Sequence, residues 1–486
     1  MSGPNLERKL TIFDVTNLVV GAIIGADIYV ASSFGARYLG PLSLMVWVIA
    51  GIIAMLIALC FAQCAAWVPE AGGPYAYAKE AWGPFAGFVV GWALWFAELI
   101  SLAVFPLAFT QYLMFFIPNL SPIFQILIKV LFVAFLAITN IVGVKAAGRI
   151  NDVLTIAKLA PLVFFCAAGL VWVVLNPAVA STNLIATTAP FDFASFGTVL
   201  VLIFWAYAGF EISTIPAGEV AEPGKTIPKA IILGISIVIV FYLTTNTILF
   251  GVRNWSLLGN DTAPLATATA SMLSSNATIA LLGGAIVGVG ALISVAGSDE
   301  SGMLGTSRLG YALAADGLFP KLFARVHSRF KTPYMSIAIQ SVIAVLAAVV
   351  GNLSMLISVS VFFMAVAYLA TSGSIFAFRS KYQTQQFHLR GGPLIPILGI
   401  IFSLLLISQC TLTQIGLGVL LLLAGIPIYI KYSPKKEIAE IKETLLTRAL
   451  IKEIYTKERT FLAHALVHLK EWYQTASRRK RRDAGR

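Results

Sequence analysis

Charge is scarce in this sequence. Asp, Glu, Lys and Arg make up 12% of it, against 58% hydrophobic residues. Soluble domains carry about 25% charged residues, so that class is excluded. A mean hydropathy of +0.87 points to a bilayer instead. Cysteine is sparse too: Cys60, Cys64, Cys166 and Cys410 all lie in apolar stretches. They read as buried thiols and exclude a disulfide framework. No Cys and His spacing suits a metal, so neither metal nor cofactor is expected. No nucleophile–base or metal constellation occurs in the apolar runs, so an enzyme is not expected either. The polar start Met1–Lys9 leads directly into a long apolar run, and no cleavable leader is expected. The net charge of +12 concentrates after Lys431, beyond the last apolar run. That placement argues against a nucleic-acid partner.

What is present is a series of twelve apolar runs, at about 12–33, 42–67, 84–116, 123–142, 153–175, 196–216, 230–250, 277–304, 333–350, 354–378, 394–411 and 414–431. Each is near or above the roughly 17–25 residues that a spanning helix needs. An all-α membrane protein of twelve transmembrane helices is therefore expected, with both termini on one side. Lys and Arg set the orientation. One set of loops carries Arg8, Lys9, Lys79, Lys145, Arg149, Lys225, Lys229, Arg308, Lys321, Arg325, Arg329, Lys331, Arg379, Lys381 and Arg390; the alternate set carries Arg37 and Arg253. The positive-inside rule puts the first set, and both termini, in the cytoplasm of a cell-membrane protein.

The first run holds Val20-Gly-Ala-Ile-Ile-Gly-Ala-Asp-Ile-Tyr29. Glycine lowers helix propensity by about 1 kcal/mol relative to Ala. A carboxylate in the membrane costs roughly 2.5–3.5 kcal/mol on insertion scales. A helix break here frees backbone groups, which is tolerated only where they line a cavity or bind something. The sixth run repeats the combination in Phe204-Trp-Ala-Tyr-Ala-Gly-Phe-Glu211. Two interrupted spans five apart suggest two five-span units of inverted topology around a central site. Expected domains are a cytoplasmic N-terminus (1–11), a first repeat (12–175), a second repeat (196–378), two peripheral spans (394–431) and a basic cytoplasmic tail (433–486).

Several motifs, in order, carry a resemblance. They are Gly21-Ala-Ile-Ile-Gly-Ala-Asp-Ile28, Pro69-Glu-Ala-Gly-Gly-Pro-Tyr-Ala-Tyr77, Gly87-Phe-Val-Val-Gly-Trp92, Tyr207-Ala-Gly-Phe-Glu211, Glu219-Val-Ala-Glu-Pro223, Ile227-Pro-Lys-Ala230, and Ser307-Arg308 leading to Ala315-Asp-Gly-Leu-Phe-Pro320. From about Leu10 to Tyr432 the chain resembles the amino acid–polyamine–organocation (APC) superfamily of secondary transporters. The resemblance implies ten spans in two inverted repeats plus two peripheral spans. It also implies alternating access around a site between the broken first and sixth spans.

In the superfamily's amino-acid carriers, the first break cradles the substrate carboxylate with free N–H groups and the positive end of a half-helix. Ile23, Ile24, Gly25, Ala26 and Asp27 are the matching positions. Asp27 stands where the pattern has glycine. It either substitutes for the substrate's carboxylate, which favours a cationic amine, or caps the half-helix. Ala206, Tyr207 and Gly209 lie at the second break. Trp205 matches an aromatic that arginine and agmatine carriers stack on substrate, a contact worth roughly 0.5–2 kcal/mol; packing alone is the other reading. Glu211 matches an acidic gate residue of proton-sensitive members, or else holds unwound backbone N–H groups.

Lys158 in the fifth run shares a helical face with Asn151 and Thr155. In sodium-independent members a Lys at this place fills the sodium volume, so Lys158 is a proton-coupling candidate; a permanent ion pair is the alternative. Ser298, Asp299 and Glu300 in the eighth run complete the coupling set. Adjacent acids point about 100° apart, so one of the two faces the centre as a partner for Lys158. Glu98 adds a further buried acid. The expected small-molecule partner is an amino acid or a cationic amine derived from one. The tail ends in Arg478-Arg-Lys-Arg-Arg482 and either lies on anionic inner-leaflet lipid, at roughly 1 kcal/mol per basic residue, or is solvated. A neutral amino-acid carrier and a non-transporting nutrient sensor remain alternatives. The sequence leaves the oligomeric state open.

Overall fold

The computed structural model describes residues 10–69, 72–142, 144–185, 192–214, 220–382 and 391–433, with the side chains of 144–157, 212 and 213 excepted. The tail after Ser433, loop residues 383–390, Glu219, and the side chains of Asn151 and Thr155 lie outside the described residues. Among the described residues every regular element is helical. One isolated parallel bridge joins Leu10 to Val220.

The helices start and stop where local chemistry dictates. Thr11 and Asp14 form a reciprocal cap on α1 (Ile12–Ile23), satisfying two donors that the first turn would otherwise leave free. α2 (Asp27–Leu39) ends at Gly40, whose φ is 58°. α3 (Ser43–Trp67) follows directly. Proline opens α4 (Pro74–Trp82), α5 (Pro84–Leu113), α6 (Pro122–Val142) and α8 (Pro177–Ile185), which follows α7 (Val144–Leu175). Its missing N–H and fixed φ suit a first helical position. Asp192 caps α9 (Phe193–Phe204) by accepting from Ser195 N–H at 2.9 Å. Next come 3-10 turns at Trp205–Tyr207 and Phe210–Thr214, then α10 (Pro223–Val252), α11 (Trp255–Leu258) and α12 (Pro264–Met272). Asn276 caps α13 (Ala277–Ala315). α14 (Tyr334–Val350), α15 (Leu353–Lys381), α16 (Leu394–Ser408) and α17 (Leu412–Tyr432) complete the bundle.

Among the described residues, eight helical stretches are long and apolar enough to cross a membrane; Ile12–Ile23, Phe193–Tyr207, Tyr334–Val350 and Leu394–Ser408 are shorter apolar helices. Burial separates centre from rim. The most apolar window is 83% buried in α5 and 72% in α15, but 17% in α6 and in α17. Ile123, Phe124 and Leu412 on the rim helices point outward, as lipid contact requires. The inner helix α10 packs on both α1 and α3, and α13 packs on α5 and α7.

Two of the sequence motifs meet at one end of the bundle. Asp316, just after α13, accepts from the Tyr75 hydroxyl at 2.5 Å and pairs with Lys79 at 3.2 Å, both on α4. Glu80 on the same helix pairs with Lys381 at the end of α15 and accepts from the Tyr382 hydroxyl at 2.8 Å. α4 thereby clips the ends of two long helices together.

Candidate functional site

Both glycine-and-acid stretches interrupt their helices. α1 stops at Ile23, and α2 restarts at Asp27 after the extended Ile24 (ψ 103°). α9 gives way to a 3-10 turn at Trp205, then to extended Ala208 and to Gly209 at φ 117°. The two breaks close on themselves in the same manner. Asp27 Oδ1 reaches back to accept from the Gly25 N–H at 2.7 Å. Glu211 Oε2 reaches back to accept from the Gly209 N–H at 3.0 Å. In each, an acid two residues past a glycine takes a donor that helix geometry no longer pairs.

The breaks also touch each other. A Cβ on Gly209 would lie 2.8 Å from the Ala22 carbonyl oxygen and 3.2 Å from the Ile23 nitrogen. Gly209 is thus required twice, by its positive φ and by this backbone approach. Gly25 is required by crowding, since its Cβ would lie 2.9 Å from Ser298 Oγ.

Neighbouring helices satisfy the carbonyls freed at the first break. Lys158 Nζ donates to Gly21 O at 2.5 Å, Ser298 Oγ to Ile24 O at 3.3 Å, and Ser294 Oγ to Gly25 O at 3.3 Å. Tyr242 on α10 donates to Asp27 Oδ2 and approaches Ile23 O at 3.3 Å. Asp27 is 4% exposed, and Lys158 is the cation within its electrostatic reach. Ile23, Ile24 and Ala26 are fully packed beside it.

At the second break, Trp205 donates its indole N–H to Ser101 Oγ at 3.1 Å and is tilted against Phe105. Tyr207 donates to Trp47 O at 3.0 Å, and its ring meets those of Trp47 and Tyr242. Ala206 is buried. The fold therefore gathers Gly25, Asp27, Lys158 and Ser298 around the first break, with Gly209 against it.

The eighth-run acids sit differently from expectation. Lys158 takes a backbone carbonyl, and among the described residues neither acid bonds to it. Asp299 is fully buried with both oxygens unpartnered, and Glu300 is half-buried. Tyr242 and Ser294 were not singled out from the sequence. A signal existed for the former: Tyr242, Thr245 and Asn246 form a polar stripe at helical spacing in an apolar run. The structure uses all three, with Asn246 accepting from Ser32 at 2.7 Å and Thr245 meeting Cys166 at 3.3 Å.

The chain is similar in sequence to known transporters. The chain is 26% identical over 456 residues to the serine/threonine exchanger SteT of Bacillus subtilis (strain 168), covering 89% of this chain and 98% of that protein. It is 27% identical over 453 residues to the branched-chain amino acid permease BcaP of the same organism, covering 89% and 94%. It is 27% identical over 417 residues to that organism's methylthioribose transporter, covering 82% and 86%. The sequence profile of the amino acid permease family matches residues 10–429, nearly the whole helical bundle. The chain belongs to that family, within the APC superfamily, and is an integral membrane transporter rather than an enzyme.

Proposed function

We propose that this protein carries amino acids, or cationic amines derived from them, by secondary active transport with alternating access, coupled to protons or in exchange. The observation that carries the reading is the meeting of two broken helices, backbone to backbone, at Gly209 and Ala22. Such paired breaks suit a centrally placed substrate. The printed names of two relatives, a serine/threonine exchanger and a branched-chain amino acid permease, support the substrate class. The third relative is named for a thioribose, so this scaffold also accommodates a solute without an α-carboxylate.

In this reading twelve helices cross the plasma membrane with both termini cytoplasmic. Residues 12–175 and 196–378 form inverted repeats, 394–431 a peripheral pair, and 433–486 a basic tail on the inner leaflet. Ile23 to Asp27, Trp205 to Tyr207, Gly209 and Glu211 contact substrate. Lys158, Ser298, Asp299 and Glu300 serve coupling. A second reading has a specific observation in its favour: both oxygens of Asp27 already accept hydrogen bonds from the protein, which suits a neutral amino-acid carrier with Asp27 as a cap. Tracer uptake of amino acids and their amines into proteoliposomes tests the function. Accumulation against a gradient is the expected result; binding without accumulation makes the protein a sensor.

A further inference from the structure

The Tyr242 hydroxyl has two acceptors at the first break. It donates to Asp27 Oδ2, and Ile23 O, on the last residue of α1, lies 3.3 Å away. Asp27 Oδ1 accepts from the Gly25 N–H at 2.7 Å. Asp27 and Tyr242 are both buried, so their hydrogen-bond partners come from the protein.

This arrangement suits either charge state of the carboxyl. A phenol donates one hydrogen and accepts on its lone pairs. With Asp27 ionised, the Gly25 N–H serves Oδ1 and the Tyr242 O–H serves Oδ2. A proton arriving from solution forms an O–H bond at Oδ2. The Tyr242 hydroxyl hydrogen then turns to Ile23 O, and Tyr242 Oη accepts from the new O–H. Only one hydroxyl rotates, and the carboxyl and the phenol are paired before and after. Neither state incurs the penalty of a bare buried group.

We propose that Tyr242 is a positioning residue that makes Asp27 a reversible proton acceptor, and that this proton selects the substrate. The ionised break takes a cationic amine that has no carboxylate. The protonated break takes an amino acid, because a neutral Asp27 neither repels the substrate's carboxylate nor supplies an anion to the half-helix. The proposal rests on the first break being the substrate site.

Among the described residues, the titratable groups around the pair are few. Lys158 on α7 is within electrostatic reach of Asp27 and donates to Gly21 O at 2.5 Å. Cys166, also on α7, meets Thr245 at 3.3 Å. Tyr29 on α2 is near both residues, but its hydroxyl bonds to neither. Tyr112 on α5 donates to Tyr29 O at 3.0 Å. At the second break, Tyr207 donates to Trp47 O and Glu211 accepts from the Gly209 N–H. On α3, Cys60 and Cys64 face Ile395 O and Thr371 O. Asp299 on α13 bonds to neither member of the pair, and Glu300 is half-buried. Helices α9, α11 and α12 carry no titratable side chain.

Full-length protein in liposomes is tested for binding of serine against ethanolamine and of arginine against agmatine. Between about pH 5 and pH 8 these probes keep their carboxylates and ammoniums charged, so a change in preference belongs to the protein. In wild type the ratio of amine to amino-acid affinity should fall by about tenfold or more on acidification. Asp27→Asn reproduces the protonated pairing, its amide donating to Tyr242, and should keep the low ratio at every pH. Tyr242→Phe should move the midpoint of the change. A variant that weakens both probes alike at an unmoved midpoint makes Tyr242 structural and overturns its role. A reading without substrate isolates the proton. Infrared difference spectra over the same pH range should show a protonated-carboxyl band that is absent from Asp27→Asn and kept in Asp299→Asn. Labelled aspartate should move the band, a control available even if the Asn variant fails to fold. Absence of the band overturns the proposal whatever the protein carries. With the band present, a ratio that ignores pH in wild type overturns substrate selection. If Asp27→Asn also binds both pairs as wild type does, the first break is not the substrate site, and the underlying reading fails with it.

Discussion

The Tyr242 hydroxyl donates to Asp27 Oδ2 and so ties α10 to the first residue of α2. With Oδ1 on the Gly25 N–H, this fixes the carboxylate at the positive end of a half-helix, where an anion is stabilised by about 0.3–1 kcal/mol. In the proposed reading, an ionised Asp27 supplies an anion at the place where the family resemblance implies a substrate carboxylate.

That placement predicts substrate preference. A second carboxylate about 4 Å away is repelled by roughly 4 kcal/mol at an effective dielectric of 20, nearly a thousandfold in affinity. Wild type should bind an amine more tightly than its parent amino acid at neutral pH or above. Asp27→Gly should shift the ratio toward the amino acid. If wild type prefers the amino acid and the variant leaves the ratio unchanged, Asp27 is a cap alone.

Lys158 predicts the coupling ion. Its ammonium holds the Gly21 carbonyl at the first break, so uptake should need no sodium and should rise with an inward proton gradient. Lys158→Ala removes a charge-assisted bond worth about 1.5–3 kcal/mol. It should abolish transport or its pH dependence while the protein still elutes as a folded species. Strict sodium dependence of the wild type at every pH would count decisively against this role.

The two glycines should differ in rescue. Gly209→Ala meets the Ala22 backbone at a φ disfavoured for alanine, a cost of about 1–3 kcal/mol that no side-chain deletion relieves. Gly25→Ala meets Ser298 Oγ, so adding Ser298→Ala should restore part of the lost melting temperature. Equal rescue of both glycine variants by Ser298→Ala would contradict the geometry.

Glu80 predicts a pH effect outside the membrane. The Lys381 bond, then the Tyr382 bond, hold its carboxyl below the ordinary value of 4.5. A lowered folded value gives stability that is present above the ordinary value and lost as pH falls through the folded one. Glu80→Gln should cost at most about 1 kcal/mol, as partly exposed pairs do. The difference from wild type should shrink below pH 4.5. A difference that grows on acidification would reverse the sign.

Topology is checked by cysteine labelling. Cysteines placed at Ser181 or Asn260 should react with an impermeant thiol reagent from outside, and one at Thr384 should not. The opposite pattern would invert the chain.

The breaks were legible because glycine and acid are conspicuous inside apolar runs, and each is cheap only where backbone needs it. The reach of each acid back to its own glycine was not, since spacing does not reveal which way a side chain folds. The expected pairing of Lys158 with Asp299 or Glu300 failed for a similar reason. Periodicity gives direction around one helix; it says nothing of the rotation or depth of the next. Lys158 met a freed carbonyl first, and Asp299 was left enclosed elsewhere. Tyr242 is marked in the sequence by its spacing with Thr245 and Asn246, but that spacing does not reveal that the stripe meets Asp27.

Both breaks carry their own counter-charge, Asp27 on Gly25 and Glu211 on Gly209. The consequence is kinetic. A carrier whose exposed helix ends are neutralised only by its cargo is penalised whenever it must reorient empty, and such carriers are driven toward obligatory swapping of one solute for another. Here both breaks have a carboxyl of their own on the freed N–H. Under the proposed transport cycle, the return stroke without cargo would leave neither of these two donors bare, and one-way accumulation would be open to this chain.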